Sequence, residues 1–146
     1  MKNDLQLETL RHSTAHVMAA AVCRLYENVQ LDIGPSTGDG FYYDFDLAHR
    51  LTPEDLPAIE AEMAKIVAED LPFERIEVSR AEAVKMLAGQ KFKLERLADI
   101  PEGEAISFYK CGTFFDLCRG PHLERTGQIR AFKLLSLAGS YYRGKE

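Results

Sequence analysis

The sequence predicts an α+β fold in a single domain, with an antiparallel sheet packed against two or three helices. Three observations carry this expectation. A helical apolar pattern without Gly or Pro fills the N-terminal stretch, two later segments begin with recognisable helix caps, and the last third is rich in aromatic and β-favouring residues broken by glycine turns. The chain has 146 residues, and a domain of roughly 100 to 150 residues can close one hydrophobic core unaided. Residues 1–146 are therefore read as one unit.

Taken in order, residues 5–27 carry Leu5, Leu7, Leu10, Val17, Met18, Ala21, Val22 and Leu25 at broadly helical spacing. "QLDIGPSTGDGFYYDFDL" then reads as strand, Gly/Pro turn and strand, a hairpin-like pair in which Phe41, Tyr43 and Phe45 alternate with Tyr42, Asp44 and Asp46. Thr52 as N-cap, Pro53 in the first helical position and acidic residues in the first turn predict a helix over 53–69. "FERIEVS" suits a short strand, and Ser79 with Glu82 forms a capping-box pattern for a helix reaching Leu87, which Gly89 ends. From Ala105 onward several antiparallel strands are expected.

Composition narrows the function. Three cysteines, Cys23, Cys111 and Cys118, are too few and too irregular for a disulfide framework, and no secretory h-region stands at the N-terminus. Nor is there an apolar run of about 18 residues of the kind that spans a bilayer. A reducing, cytoplasmic setting without a membrane partner is the expectation. The net charge of −5 argues against a domain that grips long duplex nucleic acid, which needs many Lys and Arg contacts to phosphate. Arg119–Glu146 nevertheless holds six basic residues against two acidic ones, which suits either a local phosphate contact or a solvated basic face.

Chemistry concentrates in two short clusters. In "RHSTAHVMAAAV", His12 and His16 stand four apart, so a helix aims both imidazoles to one side. No glutamate follows His12, which removes the zincin HExxH pattern, and alone the pair suits a packed helix equally well. In "DLCRGPH", Cys118 and His122 are also four apart, but Gly120 and Pro121 oppose a helix and predict a turn folding both side chains inward. Together His12, His16, Cys118 and His122 could close a zinc tetrahedron supplied wholly by protein. The competing arrangement is free of metal: imidazoles and the carboxylate of Asp116 position a water, with backbone N–H groups near Gly120 as oxyanion donors. Nucleophilic attack by a Cys118 thiolate ranks third, because nothing local would lower its pKa.

"RHSTAHVMAAAV", "IGPSTGDGFYYDFD", "FFDLCRGPH" and "AFKLLSLAGSYYRG", in this order, resemble the N-terminal editing (N2) domain of bacterial-type threonyl-tRNA synthetases. Alanyl-tRNA editing domains, which hold zinc on a similar HxxxH and CxxxH set, are a more distant likeness. The resemblance implies a metal-free hydrolase that removes serine wrongly esterified to the 3′ end of tRNA(Thr). Its implied catalytic residues are His12, Lys93, Asp116, Cys118 and His122, with His16, Tyr43, Gly34 and Arg119 for substrate. Within that set His12 and Lys93 serve water positioning and proton transfer, His122 and Asp116 orient substrate, and Cys118 shapes the pocket. Lys93 is matched only by one lysine in "GQKFKLERL", a stretch that also suits an exposed surface. No cofactor is implied, zinc at His12, His16, Cys118 and His122 being the alternative. The chain suits either a piece of a synthetase, which is the expectation, or a free-standing trans-editing protein; as a piece it has the remainder of the synthetase as partner, and no aminoacylation is expected of these residues. A catalytically silent tRNA-binding module is the third alternative.

Overall fold

A computed structural model of the chain describes residues 2–37 and 40–135. The fold is α+β, and among the described residues it has four α-helices and two small antiparallel sheets. Helix α1 runs Lys2–Leu25, strands β1 and β2 are Gln30–Leu31 and Phe45–Asp46, and α2 is Leu56–Glu69. Strand β3 (Glu74–Val78) leads into α3 (Arg80–Met86) and α4 (Lys91–Ala98), and β4 (Ile106–Cys111) and β5 (Phe114–Leu117) follow. The larger sheet has the order β3-β4-β5, and β1 pairs with β2.

Strand β4 is the central element because both of its faces are covered. Ile106 and Phe108 point to a cluster with Ala83, Leu87 and Leu97 from α3 and α4. Tyr109 and Cys111 point the other way, to a cluster with Val17 to Val22 of α1 and Ile59, Met63 and Ile66 of α2. This alternation is the period of two that a pleated strand imposes. It passes to β5, where Phe115 and Leu117 join the α3/α4 side, leaving Asp116 on the side of α1.

Helix α1 is buried without interruption from Ser13 to Val22. A helix enclosed all round belongs to an interior rather than a surface, and Ala15, Ala19, Ala20 and Ala21 let neighbours approach on every side. Leu7 and Leu25, read from the sequence as part of the apolar pattern, remain exposed.

The expected caps form in modified ways. The first turn after Thr52 is a 3-10 turn, Pro53–Asp55, with the Asp55 carboxylate accepting from the Thr52 N–H at 2.8 Å. Ser79 caps α3 by accepting from the Glu82 N–H at 3.1 Å. Gly89, at φ +86, ends that segment.

Helix α4 enlarges the expected set of two or three helices. It has only eight residues, too short to be stable alone, and tertiary bonds hold both ends. The Gln90 side chain accepts from Leu31 N–H and donates to the Val29 carbonyl, both at 2.8 Å. Arg80 donates to the Leu97 and Ile100 carbonyls, satisfying acceptors that a helix C-terminus leaves open. The hairpin-like pair is present as two-residue strands joined by a long loop. Of the several strands expected after Ala105, β4 and β5 form; Thr126–Gln128 is a 3-10 turn, and residues 136–146, including most of "AFKLLSLAGSYYRG", lie outside the described residues.

Candidate active site

The cleft lies between α1, the loop after β1, α4 and the segment leaving β5, and encloses about 350 Å³. His12, His16, Gly34, Tyr43, Lys93, Asp116, Cys118, Arg119 and His122 all line it. The fold thus brings all nine candidate residues to one place.

One wall is a sulfur–imidazole cluster. Beyond β5 the chain stays tied to β4, with Cys118 N–H donating to the Ser107 carbonyl at 3.1 Å and the Ser107 hydroxyl donating to the Cys118 carbonyl at 2.7 Å. This fixes Cys118 at the start of the turn. Gly120, at φ +79, continues it; a Cβ there would stand 2.3 Å from Tyr109 Oη, so the position admits only glycine without displacement. The Cys118 sulfur is 3.3 Å from His122 Nε2 and 3.5 Å from His12 Nε2. The Gly120 N–H, expected from the sequence as an oxyanion donor, instead faces that sulfur at 3.3 Å. The His12 and His122 ring centroids are 4.5 Å apart.

The same cleft holds a buried polar set. Lys93 and Asp116 are only 4% and 5% exposed, and Lys93 Nζ lies 2.9 Å from Asp116 Oδ1. That contact is close enough for an ion pair, although its angle leaves Oδ1 without a well-directed hydrogen bond. Tyr43 Oη donates to Asp116 Oδ2 at 2.5 Å. The Tyr43 ring lies against Gly34, where a Cβ would come within 2.1 Å of it, so Gly34 acts by making room. Arg119 is at the rim, largely exposed and 3.9 Å from Glu104. The exposed surface position that Lys93 also suited by sequence is excluded by its burial.

Burial dominates the electrostatics. It pushes the Cys118 thiol up to about 11, lowers His12, and depresses His122 strongly. Tyr43 is pushed well above its ordinary value, first by burial and then by Asp116, so it remains a donor. His16 is lowered to about 4 by burial; both its ring nitrogens are buried without a hydrogen-bond partner among the described residues, and Phe114 packs edge-on to it at 4.9 Å.

A pH dependence of stability follows. The folded pKa of His16 is below that of the unfolded chain, so the unfolded state takes up a proton first as pH falls. Its contribution is complete above the ordinary value of 6.5 and is lost as pH drops from there through about 4. The size is on the order of 3 kcal/mol. Urea titrations across that range should show the decline, and His16→Leu should reduce it, leaving the part that belongs to His122 and His12.

Sequence reasoning did not single out Ser13, Ser107 or Tyr109, which anchor the cluster. The signal for Ser13 was its place beside His12. Ser107 and Tyr109 carry no local signal, because only the β4–β5 pairing brings them to the turn.

Residues 106–146 match the family model described as the threonyl and alanyl tRNA synthetase second additional domain. Among curated proteins, threonine-tRNA ligase of Geobacillus kaustophilus is 60% identical over 140 residues, 94% of this chain. Those of Clostridioides difficile and Carboxydothermus hydrogenoformans are 55% and 54% identical over 95% and 99% of it. The chain spans only 22% to 23% of the length of these relatives. Taken together the matches fit the N2 editing domain of threonyl-tRNA synthetase. Among the described residues no helix is long and apolar enough to cross a membrane.

Proposed function

We propose that this cleft hydrolyses the ester joining serine to the 3′ end of tRNA(Thr), without a metal or other cofactor, as the editing unit of a larger cytoplasmic synthetase. The observation that carries the reading is that the buried Lys93–Asp116–Tyr43 set and the His12, Cys118 and His122 cluster line the same small cleft. A cleft of about 350 Å³ suits a seryl ester and the ribose bearing it. The terminal nucleotide is held as a single strand, by stacking and 2′-OH contacts, which reconciles the acidic chain with its partner.

Water adds to the ester carbonyl carbon and gives up a proton to a neutral imidazole. His12, kept neutral by burial, is the acceptor in this scheme. The buried ammonium of Lys93 helps to position the water and stabilises the developing oxyanion. The C–O bond to the ribose then breaks, and the departing oxygen takes the proton. Asp116 and His122 orient the substrate, and His16 lines the cleft on the substrate's path.

The need for such a step is physical: serine lacks one methyl group of threonine, and one methyl or methylene in a pocket is worth only about 1–3 kcal/mol. The purified chain given Ser-tRNA(Thr) and Thr-tRNA(Thr), with and without chelator, is expected to deacylate only the first and to ignore the chelator. Equal hydrolysis of both would remove the sieve.

Cys118 is not the nucleophile here, because its thiol is pushed up to about 11. Cys118→Ala is expected to retain hydrolysis within about tenfold of the parent, whereas loss of a true nucleophile costs on the order of 10⁶ in kcat. Single-turnover deacylation distinguishes the two.

A second reading has its own observation. Ligand atoms of His12, Cys118 and His122 lie within 4.8 Å of one another, a set to which His16 does not belong. That spacing fits three ligands of a tetrahedral zinc with one position open, rather than the closed set of four that the sequence offered as its alternative to a metal-free site. Zinc bound there would lower the pKa of a bound water. Stoichiometric zinc in active protein, with activity lost to chelator, would establish it. A silent tRNA-binding module would instead show no hydrolysis, and His12→Ala would leave tRNA binding unchanged.

A further inference from the structure

Ser13 occupies a position in the cluster that the hydrolytic scheme does not use. It is fully buried on α1. The Leu123 N–H donates to its Oγ at 2.9 Å, and the same oxygen lies 3.0 Å from His122 Nδ1. A hydroxyl has one hydrogen and two lone pairs. Leu123 takes a lone pair, and among the described residues the hydroxyl hydrogen has no acceptor other than His122 Nδ1. We propose that Ser13 is a positioning residue that holds His122 in the tautomer protonated at Nε2 and, through it, orients the Cys118 thiol toward His12.

The rest follows along the cluster. With Nδ1 accepting, the His122 Nε2–H donates to the Cys118 sulfur, 3.3 Å away. That sulfur also receives the Gly120 N–H at 3.3 Å. With two donors on the sulfur, the thiol hydrogen is directed at His12 Nε2, 3.5 Å distant, a weak contact that the attacking water displaces when His12 acts as base. The hydrogen bonds then run one way, from Ser13 through His122 and Cys118 to His12. A turn peptide at Leu123 and a helix side chain on α1 are thereby coupled to the protonation pattern of the cluster. Phe73 and Tyr109, with ring centroids 5.2 and 4.4 Å from His122, keep its ring from turning over to exchange the nitrogens.

The consequence for turnover rests on the proposed hydrolysis; the tautomer itself does not. The full chain with ¹⁵N-labelled histidine, in chelator at neutral pH, is measured by long-range ¹H–¹⁵N correlation. His122 should show an unprotonated Nδ1 and a protonated Nε2. Ser13→Ala should shift these signals toward a mixture or the reverse tautomer, and Ser13→Thr should restore them. Ser-tRNA(Thr) deacylation by Ser13→Ala should fall roughly tenfold in kcat with KM little changed, because His122 loses its fixed orientation toward the substrate. A His122 protonated on Nδ1 in the parent, or an unchanged spectrum in Ser13→Ala, overturns the inference. The parent spectrum and Ser13→Thr decide it even if Ser13→Ala does not fold. A chain with the stated tautomer and no hydrolysis refutes the proposed function alone.

Discussion

Lys93→Met is expected to destabilise the chain by about 3–5 kcal/mol and to abolish deacylation of Ser-tRNA(Thr), because it leaves a carboxylate buried without its counter-ion. Asp116 is 5% exposed, and its remaining partner is the Tyr43 hydroxyl. A neutral donor does not offset the desolvation of a full charge. Replacing the whole set, Lys93→Met with Asp116→Leu and Tyr43→Phe, should recover most of the lost stability, since packed apolar groups often match or exceed a buried ion pair. Hydrolysis should stay absent in that variant. Stability then separates from function: the polar set is retained for its chemistry, at no gain to the fold. Denaturant unfolding and deacylation on the same preparations test this, and a single variant Lys93→Met within about 1 kcal/mol of the parent would show that the charge pair is not buried as described.

Gly120→Ala is expected to lose about 2–4 kcal/mol, part from a left-handed backbone at φ +79 and part from collision with the Tyr109 ring. Cys118 and His122 stand two residues to either side, so relief of the collision moves both. A displacement of about 1 Å at reacting groups can cost 10²-fold in rate, and kcat should fall by about that factor. Gly89→Ala is the control. Its φ of +86 imposes the same backbone cost, but nothing lies within 4 Å of a Cβ there, so it should lose about 1 kcal/mol and leave hydrolysis intact. Similar losses of activity in the two variants would mean that the turn is held by backbone conformation alone.

Local signals made much of this molecule legible. The α1 pattern, Thr52 and Pro53 ahead of α2, Ser79 with Glu82 at α3, and the turn at Gly120–Pro121 each arise from neighbours within a few residues, and each appears in the fold. Helix α4 was not legible. Phe92, Leu94 and Leu97 across eight residues make too short a stripe, and its ends are secured by Gln90 and Arg80 bonding to distant backbone. The same distance hid Ser107 and Tyr109.

By itself the sequence determined the α+β class and the two His/Cys clusters, and its ordered motifs indicated the threonyl-type editing likeness. What only the tertiary structure decided is the state of each group. Lys93 suits an exposed surface by sequence but is buried on Asp116, and the Gly120 N–H meets a sulfur rather than standing free for an oxyanion. The ligand atoms of His12, Cys118 and His122 converge, whereas His16, its ring 5.1 Å from that of His122, packs edge-on to Phe73 and Phe114 and is not of that set. The reason is that spacing along a chain sets direction over one turn of helix or strand, whereas burial, charge partners and close packing depend on elements that meet only after folding.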